Sequence, residues 1–185
     1  YCARHSDMVL VNSKNDMRLV GQESAALEIC QELNWKAPDW VVIPVGNGGN
    51  LTSYMVSFLR MKARGLIDRL PGIIAAQTKS ANTMVRWARS GFQTYEPGDN
   101  SEPTLATAMK IQDPVSFSRI QLLMKEFEVH WFDVTEEQLL EAWDLALQAG
   151  ADACTQTAVA FHAMLQARDA EVVKEDDTVV FIATA

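Results

Sequence analysis

The residues Gly46-Asn47-Gly48-Gly49-Asn50 stand directly after a β-branched apolar run, Trp40-Val41-Val42-Ile43-Pro44-Val45, and directly before a stretch of helical composition. A glycine-rich turn in that position suits an anion. Glycines let backbone N–H groups approach phosphate oxygens, the N-terminus of the next helix adds roughly half a unit of positive charge, and the Asn side chains offer amide donors. No lysine is required. A tight strand-to-helix turn uses the same glycines merely to relieve strain, so the loop alone leaves both uses open. It is neither GxGxxG nor GxxxxGK[ST], which disfavours a Rossmann dinucleotide site and a P-loop.

Other reactive side chains carry less. Cys2, Cys30 and Cys154 are an odd number without CxxC spacing, and His5, His130 and His162 have no metal-ligand spacing with them or with one another. Neither a disulfide framework nor a metal site is read from them. Residues 135–141 are acidic, as a solvated helix face is, and the five tryptophans are scattered as core or interface residues rather than set as a stacking platform.

The elements that must position the loop follow from pattern. Residues 8–11 form a short apolar run ending in Asn12-Ser13 and predict a buried strand. Apolar residues at spacings of three, four and seven predict one helix over 18–33, closed by Asn34 before Pro38. The run at 40–45 predicts a strand buried on both faces of a parallel sheet, 51–64 a helix ending at Gly65, and 73–77 another buried strand. Residues 91–103 have the composition of a surface loop. Helix is expected over 117–127, strand over 129–133, a helix start at Thr135 with Gln138 three residues on, a further helix over 156–168 and a last strand over 178–183. Strands alternating with helices predict one open, mostly parallel α/β sheet flanked by helices, over residues 1–185 as a single unit.

Composition bounds the rest. The chain has 185 residues, 48% hydrophobic and 22% charged, which is globular composition. Sixteen Lys plus Arg against twenty-four Asp plus Glu give a net charge of −8. Such a surface repels a phosphodiester backbone, so nucleic acid is not expected as a partner. Nor is a membrane, because no run of about 18 apolar residues occurs and the N-terminus lacks a secretory pattern. The expected setting is reducing: cytoplasm, or plastid if the source is a plant or alga. There is no initiator Met, and the last residues stop where a strand should turn into a loop; the chain is expected to be an incomplete unit of a longer protein.

Pro44-Val45-Gly46-Asn47-Gly48-Gly49-Asn50, with Ala37-Pro38-Asp39-Trp40 and Arg18-Leu19-Val20-Gly21-Gln22 before it, resembles the C-terminal two-thirds of threonine synthase, a pyridoxal-phosphate enzyme of fold type II. The likeness is to the plant-type branch and runs to both ends. Leu66-Ile67-Asp68-Arg69-Leu70-Pro71, Thr104-Leu105-Ala106-Thr107-Ala108, Asp113-Pro114-Val115-Ser116, Cys154-Thr155-Gln156-Thr157-Ala158-Val159-Ala160 and Ala183-Thr184-Ala185 match in order and spacing. The resemblance implies the tryptophan synthase β-like fold and pyridoxal 5'-phosphate as cofactor. It implies conversion of O-phospho-L-homoserine and water to L-threonine and phosphate, and commonly a homodimer.

By the same resemblance Gly46, Asn47, Gly48, Gly49 and Asn50 hold the cofactor phosphate, and Thr184 hydrogen-bonds the pyridine nitrogen. A neutral hydroxyl there leaves the nitrogen less protonated than an Asp would. Asn12, Ser13 and Arg18, assisted by Asn47, contact the substrate phosphate, for which a planar guanidinium fork is apt. Taken alone, Arg18 could equally pair with an acidic neighbour at an exposed helix start, and Thr184 could be an ordinary strand residue. A β-branched side chain at Gly48 or Gly49 is expected to fill the space the phosphate needs. Val20, Glu23 and Thr155 depart from the family pattern, which carries Glu, Lys and Pro there. The family's Schiff-base lysine lies upstream in a Ser-Phe-Lys-Asp segment that does not occur in this sequence, so no catalytic residue is assigned and the chain alone is expected to be inactive. The alternatives are another fold type II lyase, such as a serine or threonine dehydratase or a cysteine synthase, and a non-catalytic module that binds a phosphate ligand.

Overall fold

In the computed structural model, residues 4, 5, 7–9, 11–13, 15–99, 102–151 and 153–184 are described. Four parallel strands form one sheet: β1 (Trp40–Pro44), β2 (Gly72–Thr78), β3 (Val129–Val134) and β4 (Val179–Phe181), in the order β3-β2-β1-β4. Trp40 pairs with Gly72 on one side and Val179 on the other, and Ile73 pairs with Val129. The parallel α/β expectation is met.

The helices are α1 (Asp16–Gln22), α2 (Ser24–Glu32), α3 (Gly49–Ala63), α4 (Thr83–Arg89), α5 (Phe117–Leu123), α6 (Glu136–Gln148) and α7 (Thr155–Asp169). They cover both faces of the sheet. Val41, Ile43, Ile73 and Ala75 point into a core shared with α2, α3, α4 and α5, while Val42, Ile74 and Ala76 point into a second core shared with α6 and α7. Because alternate residues face opposite layers, β1 is buried at every position, and that produces its unbroken apolar run. On α7 the buried residues are small, Ala158, Ala160, Ala163 and Ala167 among them, which lets this helix lie close against the strands.

Four local expectations are corrected. Residues 8, 9 and 11 are not a strand: Met8, Val9 and Val11 are exposed and pair with no sheet edge, and a short strand without an edge to join has no partner for its backbone groups; Leu10 lies outside the described residues. The helix expected over 18–33 is two helices, α1 and α2, parted at Glu23, whose N–H bonds the Val20 carbonyl and whose carboxylate pairs with Arg60 of α3. The helix expected over 117–127 stops at Leu123. Helix α4 was not expected at all. Its start is capped from β2, where the buried Gln77 Oε1 accepts the N–H groups of Met84 (2.9 Å) and Val85 (3.2 Å), a contact that local sequence cannot announce. Its last residue is anchored to Asp133 of β3, whose carboxylate accepts two hydrogen bonds from Arg89 and one from Asn82.

Candidate functional site

Strands β1 and β4 are neighbours and run in the same direction, so whatever follows each of them emerges at one edge of the sheet. The ladder continues past both: Val45 N–H bonds the Ala76 carbonyl and Ile182 N–H bonds the Val42 carbonyl. Immediately beyond lie the 46–50 loop and Thr184. They line a single cavity of about 200 Å³, together with Ser13 and Arg18. This is the edge at which open α/β sheets bind ligands.

The loop is shaped by Gly48, which adopts a left-handed φ of 76° and precedes α3 as its N-cap residue. No side chain caps α3, so its first-turn N–H groups are left for a ligand at the cavity. The carbonyls at this end are already engaged: Gly48 O accepts Thr52 N–H (2.9 Å) and Thr52 Oγ1 (2.8 Å), and Gly49 O accepts Ser53 Oγ (3.0 Å). Asn47 fastens the loop to the segment before α5 by accepting Val115 N–H at Oδ1 (3.4 Å) and Ser116 N–H at its carbonyl (3.1 Å).

The glycines serve packing as well as access. A Cβ at Gly48 would stand 2.4 Å from Ile120 Cδ1 and 3.4 Å from Ser116 Cβ, neither of which lines the cavity. One at Gly49 would stand 3.1 Å from Leu19 Cδ2, and one at Gly46 3.1 Å from the Ala108 carbonyl. At Gly48, therefore, a side chain collides with α5 rather than occupying ligand space, which corrects the expected reason for its intolerance.

Arg18 reaches the cavity because α1 is tied down on three sides. Asn15 caps it by accepting Met17 N–H, Asp16 pairs with Arg119 of α5, and Leu19 buries its side chain against Gly49. Arg18 itself makes no ion pair among the described residues, so the alternative of an acidic neighbour is not realised; Asp16, two residues away, is committed to Arg119. No acidic side chain lines the cavity among the described residues, and Arg18 is the one charged group there. Asn12 is exposed and lies outside the lining.

Thr184 is held by the start of α7. Cys154 is the N-cap of that helix, its sulfur accepting Thr157 N–H. Burial alone would push the Cys154 thiol up, but hydrogen bonds from Thr157 and Thr184 outweigh it and hold its pKa below the ordinary thiol range. Thr155, where the resemblance leads one to expect Pro, occupies the first helical position, at which Pro is favoured because its missing N–H costs nothing. Its hydroxyl donates to the Leu105 carbonyl (3.2 Å).

The sequence reading missed Gln22 and Gln156, which also line the cavity. Both had a signal. Gln22 follows Arg18 by four residues and so shares its helix face, and Gln156 lies inside the Cys154–Ala160 stretch that carried the resemblance.

The donor set fits pyridoxal phosphate: an uncapped helix start and glycine turn for a phosphate, and a neutral hydroxyl at the far strand end, in a lining free of acidic groups among the described residues. Comparison with known proteins agrees. The chain is 38% identical over 176 residues to threonine synthase 2 (chloroplastic) of Arabidopsis thaliana, covering 95% of this chain and 34% of that one. It thus spans about a third of that relative's length. The crystal structure of threonine synthase from Escherichia coli superposes with a TM-score of 0.75 at 25% identity, covering 94% of this chain and 39% of the other. A fungal L-serine ammonia-lyase from Rhizomucor miehei shares the fold, with a TM-score of 0.74 at 17% identity over 99% of this chain and 59% of its own. The family model described as pyridoxal-phosphate dependent enzyme matches residues 2–185, and with the glycine-rich loop and Thr184 lining one cavity at the sheet edge the chain belongs to the pyridoxal-phosphate dependent enzyme family.

Proposed function

We propose that the full-length protein is a threonine synthase that converts O-phospho-L-homoserine and water to L-threonine and phosphate. One observation carries the reading: two separate elements chemically suited to an anion, the 46–50 loop and Arg18, line the same cavity. A cofactor phosphate needs only one of them. A second anion site beside it suits a substrate that itself carries a phosphate, whereas the substrate of a serine or threonine dehydratase has none to offer Arg18. The name of the Arabidopsis relative and that of the Escherichia coli structure support the same choice.

In this reading Gly46, Gly48, Gly49 and Asn50, with the first-turn amides of α3, hold the cofactor phosphate, and Asn47 serves both anions. Thr184 meets the pyridine nitrogen as a neutral partner. Bound pyridoxal phosphate supplies the electron sink for deprotonation next to the substrate's amino group. Arg18 and Ser13 orient the substrate phosphate and stabilise the charge that grows on it as it leaves. Asn12 is given no direct contact. The reading includes a homodimer in cytoplasm or plastid, which sedimentation of the purified protein and a fluorescent fusion would check.

The test is Arg18→Ala in the full-length enzyme. Loss of a charge-assisted bond of about 1.5–3 kcal/mol should raise KM for O-phospho-L-homoserine roughly ten- to hundredfold and leave pyridoxal phosphate affinity unchanged. Turnover of unphosphorylated serine or threonine at a comparable rate, insensitive to the substitution, would replace this reading with a dehydratase.

A further inference from the structure

Thr184 lies beyond the last backbone bond of the sheet, which is made by Ile182 N–H to the Val42 carbonyl. Nothing in the strand itself fixes it. Its backbone is instead held at both groups by one side chain on the first turn of α7. The Thr157 hydroxyl donates to the Thr184 carbonyl (2.8 Å) and accepts the Thr184 N–H (3.0 Å). The Cys154 thiol adds a second donor to the same carbonyl (2.6 Å). Thr157 is only 4% exposed and its hydroxyl makes no contact with the cavity lining other than Thr184. A buried hydroxyl whose bonds go to Thr184 and to the neighbouring Cys154 thiol (3.3 Å), itself bonded to the Thr184 carbonyl, and which is supplied by a helix packed against three strands, is a device for setting the position of Thr184.

We propose that Thr157 is a positioning residue: through its paired hydrogen bonds it fixes Thr184 at the edge of the cavity, and so sets the point at which the cofactor ring is met. This rests on the reading of Thr184 as the ring-nitrogen partner. The reason is geometric. A residue one step past a strand end samples several backbone wells, and a hydrogen bond from its side chain to a ring is realised only in the one that points into the site. Holding both its N–H and C=O leaves a single well.

The experiment compares Thr157→Val, Thr157→Ser, Thr184→Val and the Thr157→Val/Thr184→Val double variant in the full-length protein. Hydrogen exchange of the segment carrying Thr184 and titration with pyridoxal phosphate are the two readouts. In the unaltered protein the Thr184 amide should be protected although it lies outside the ladder; free exchange there overturns the proposal without any variant. Thr157→Val should speed that exchange and weaken cofactor affinity roughly 2- to 12-fold, the worth of one or so neutral hydrogen bonds, while Thr157→Ser restores both. The double variant should bind no more weakly than Thr184→Val alone, because Thr157 acts only through Thr184. Multiplying losses in the double variant, or unchanged exchange in Thr157→Val, would refute positioning. If Thr184→Val leaves cofactor affinity and absorbance untouched, the ring-nitrogen reading fails instead, and the exchange data still decide whether Thr157 fixes the strand end.

Discussion

Replacing Gly48 by Ala should be the most damaging one-methyl change in the loop, for two separable reasons. The backbone at this position has φ of 76°, which costs an L-residue about 1–2 kcal/mol. The added Cβ would stand 2.4 Å from Ile120 Cδ1, about 1 Å inside the 3.4 Å at which ordinary contact begins. Ile120 is fully buried, so its Cδ1 can move only by displacing its packed neighbours, and the clash adds an overpacking cost of about 1–3 kcal/mol. The total is about 2–5 kcal/mol, readable as a shift in urea unfolding followed by tryptophan fluorescence. Ile120→Val removes the clashing atom and leaves the next contact, Ser116 Cβ, at an unstrained 3.4 Å. In that background Gly48→Ala should cost only the backbone share, about 1–2 kcal/mol. Since the Cβ points at α5, the double variant should still bind pyridoxal phosphate within a few-fold of Ile120→Val alone. An equal cost in both backgrounds, or a cost below about 1 kcal/mol in the parent, would refute this account of the loop.

Other expectations follow from single contacts. Asp133 is buried, which alone would raise its pKa, but the Arg89 and Asn82 hydrogen bonds and the nearby Lys79 and Arg89 charges hold it below the ordinary carboxylate value. Its contribution is therefore present above the unfolded-state pKa of about 4 and lost as pH falls through the lower folded value; urea midpoints should drop in that acid range, and less so in Asp133→Asn. Thr135→Ala breaks the reciprocal capping box with Gln138 at the start of α6 and should cost about 1 kcal/mol by thermal unfolding. Thr155→Pro places at the first position of α7 the residue type favoured there, losing the bond to Leu105 but gaining a preset φ; stability should change by less than about 1 kcal/mol, and a larger loss would mean that the Leu105 contact matters more than helix initiation.

What was legible in the sequence was whatever periodicity or turn chemistry encodes locally. The unbroken apolar run of β1 announced a strand buried on both faces, Thr135 and Gln138 marked the start of α6, and the glycine turn after β1 marked the strand-to-helix junction that lines the cavity. These signals work because side-chain alternation, capping and positive φ act within a few residues. The resemblance supplied Thr184 and Arg18, which no local pattern singles out. Only the tertiary structure brought them to one cavity: β4 lies beside β1, and α1 is tied across the loop by Asp16–Arg119 and Leu19. Residues 8, 9 and 11 show the limit in the other direction, since an apolar run becomes a strand only where an edge receives it. Helix α4 depends on Gln77 and Asp133 from two strands, and Thr184 on Thr157 from a helix 27 residues away. Contacts between groups so far apart in the chain leave no period to read, because hydrogen bonding depends on where the fold delivers donor and acceptor and not on their spacing in sequence.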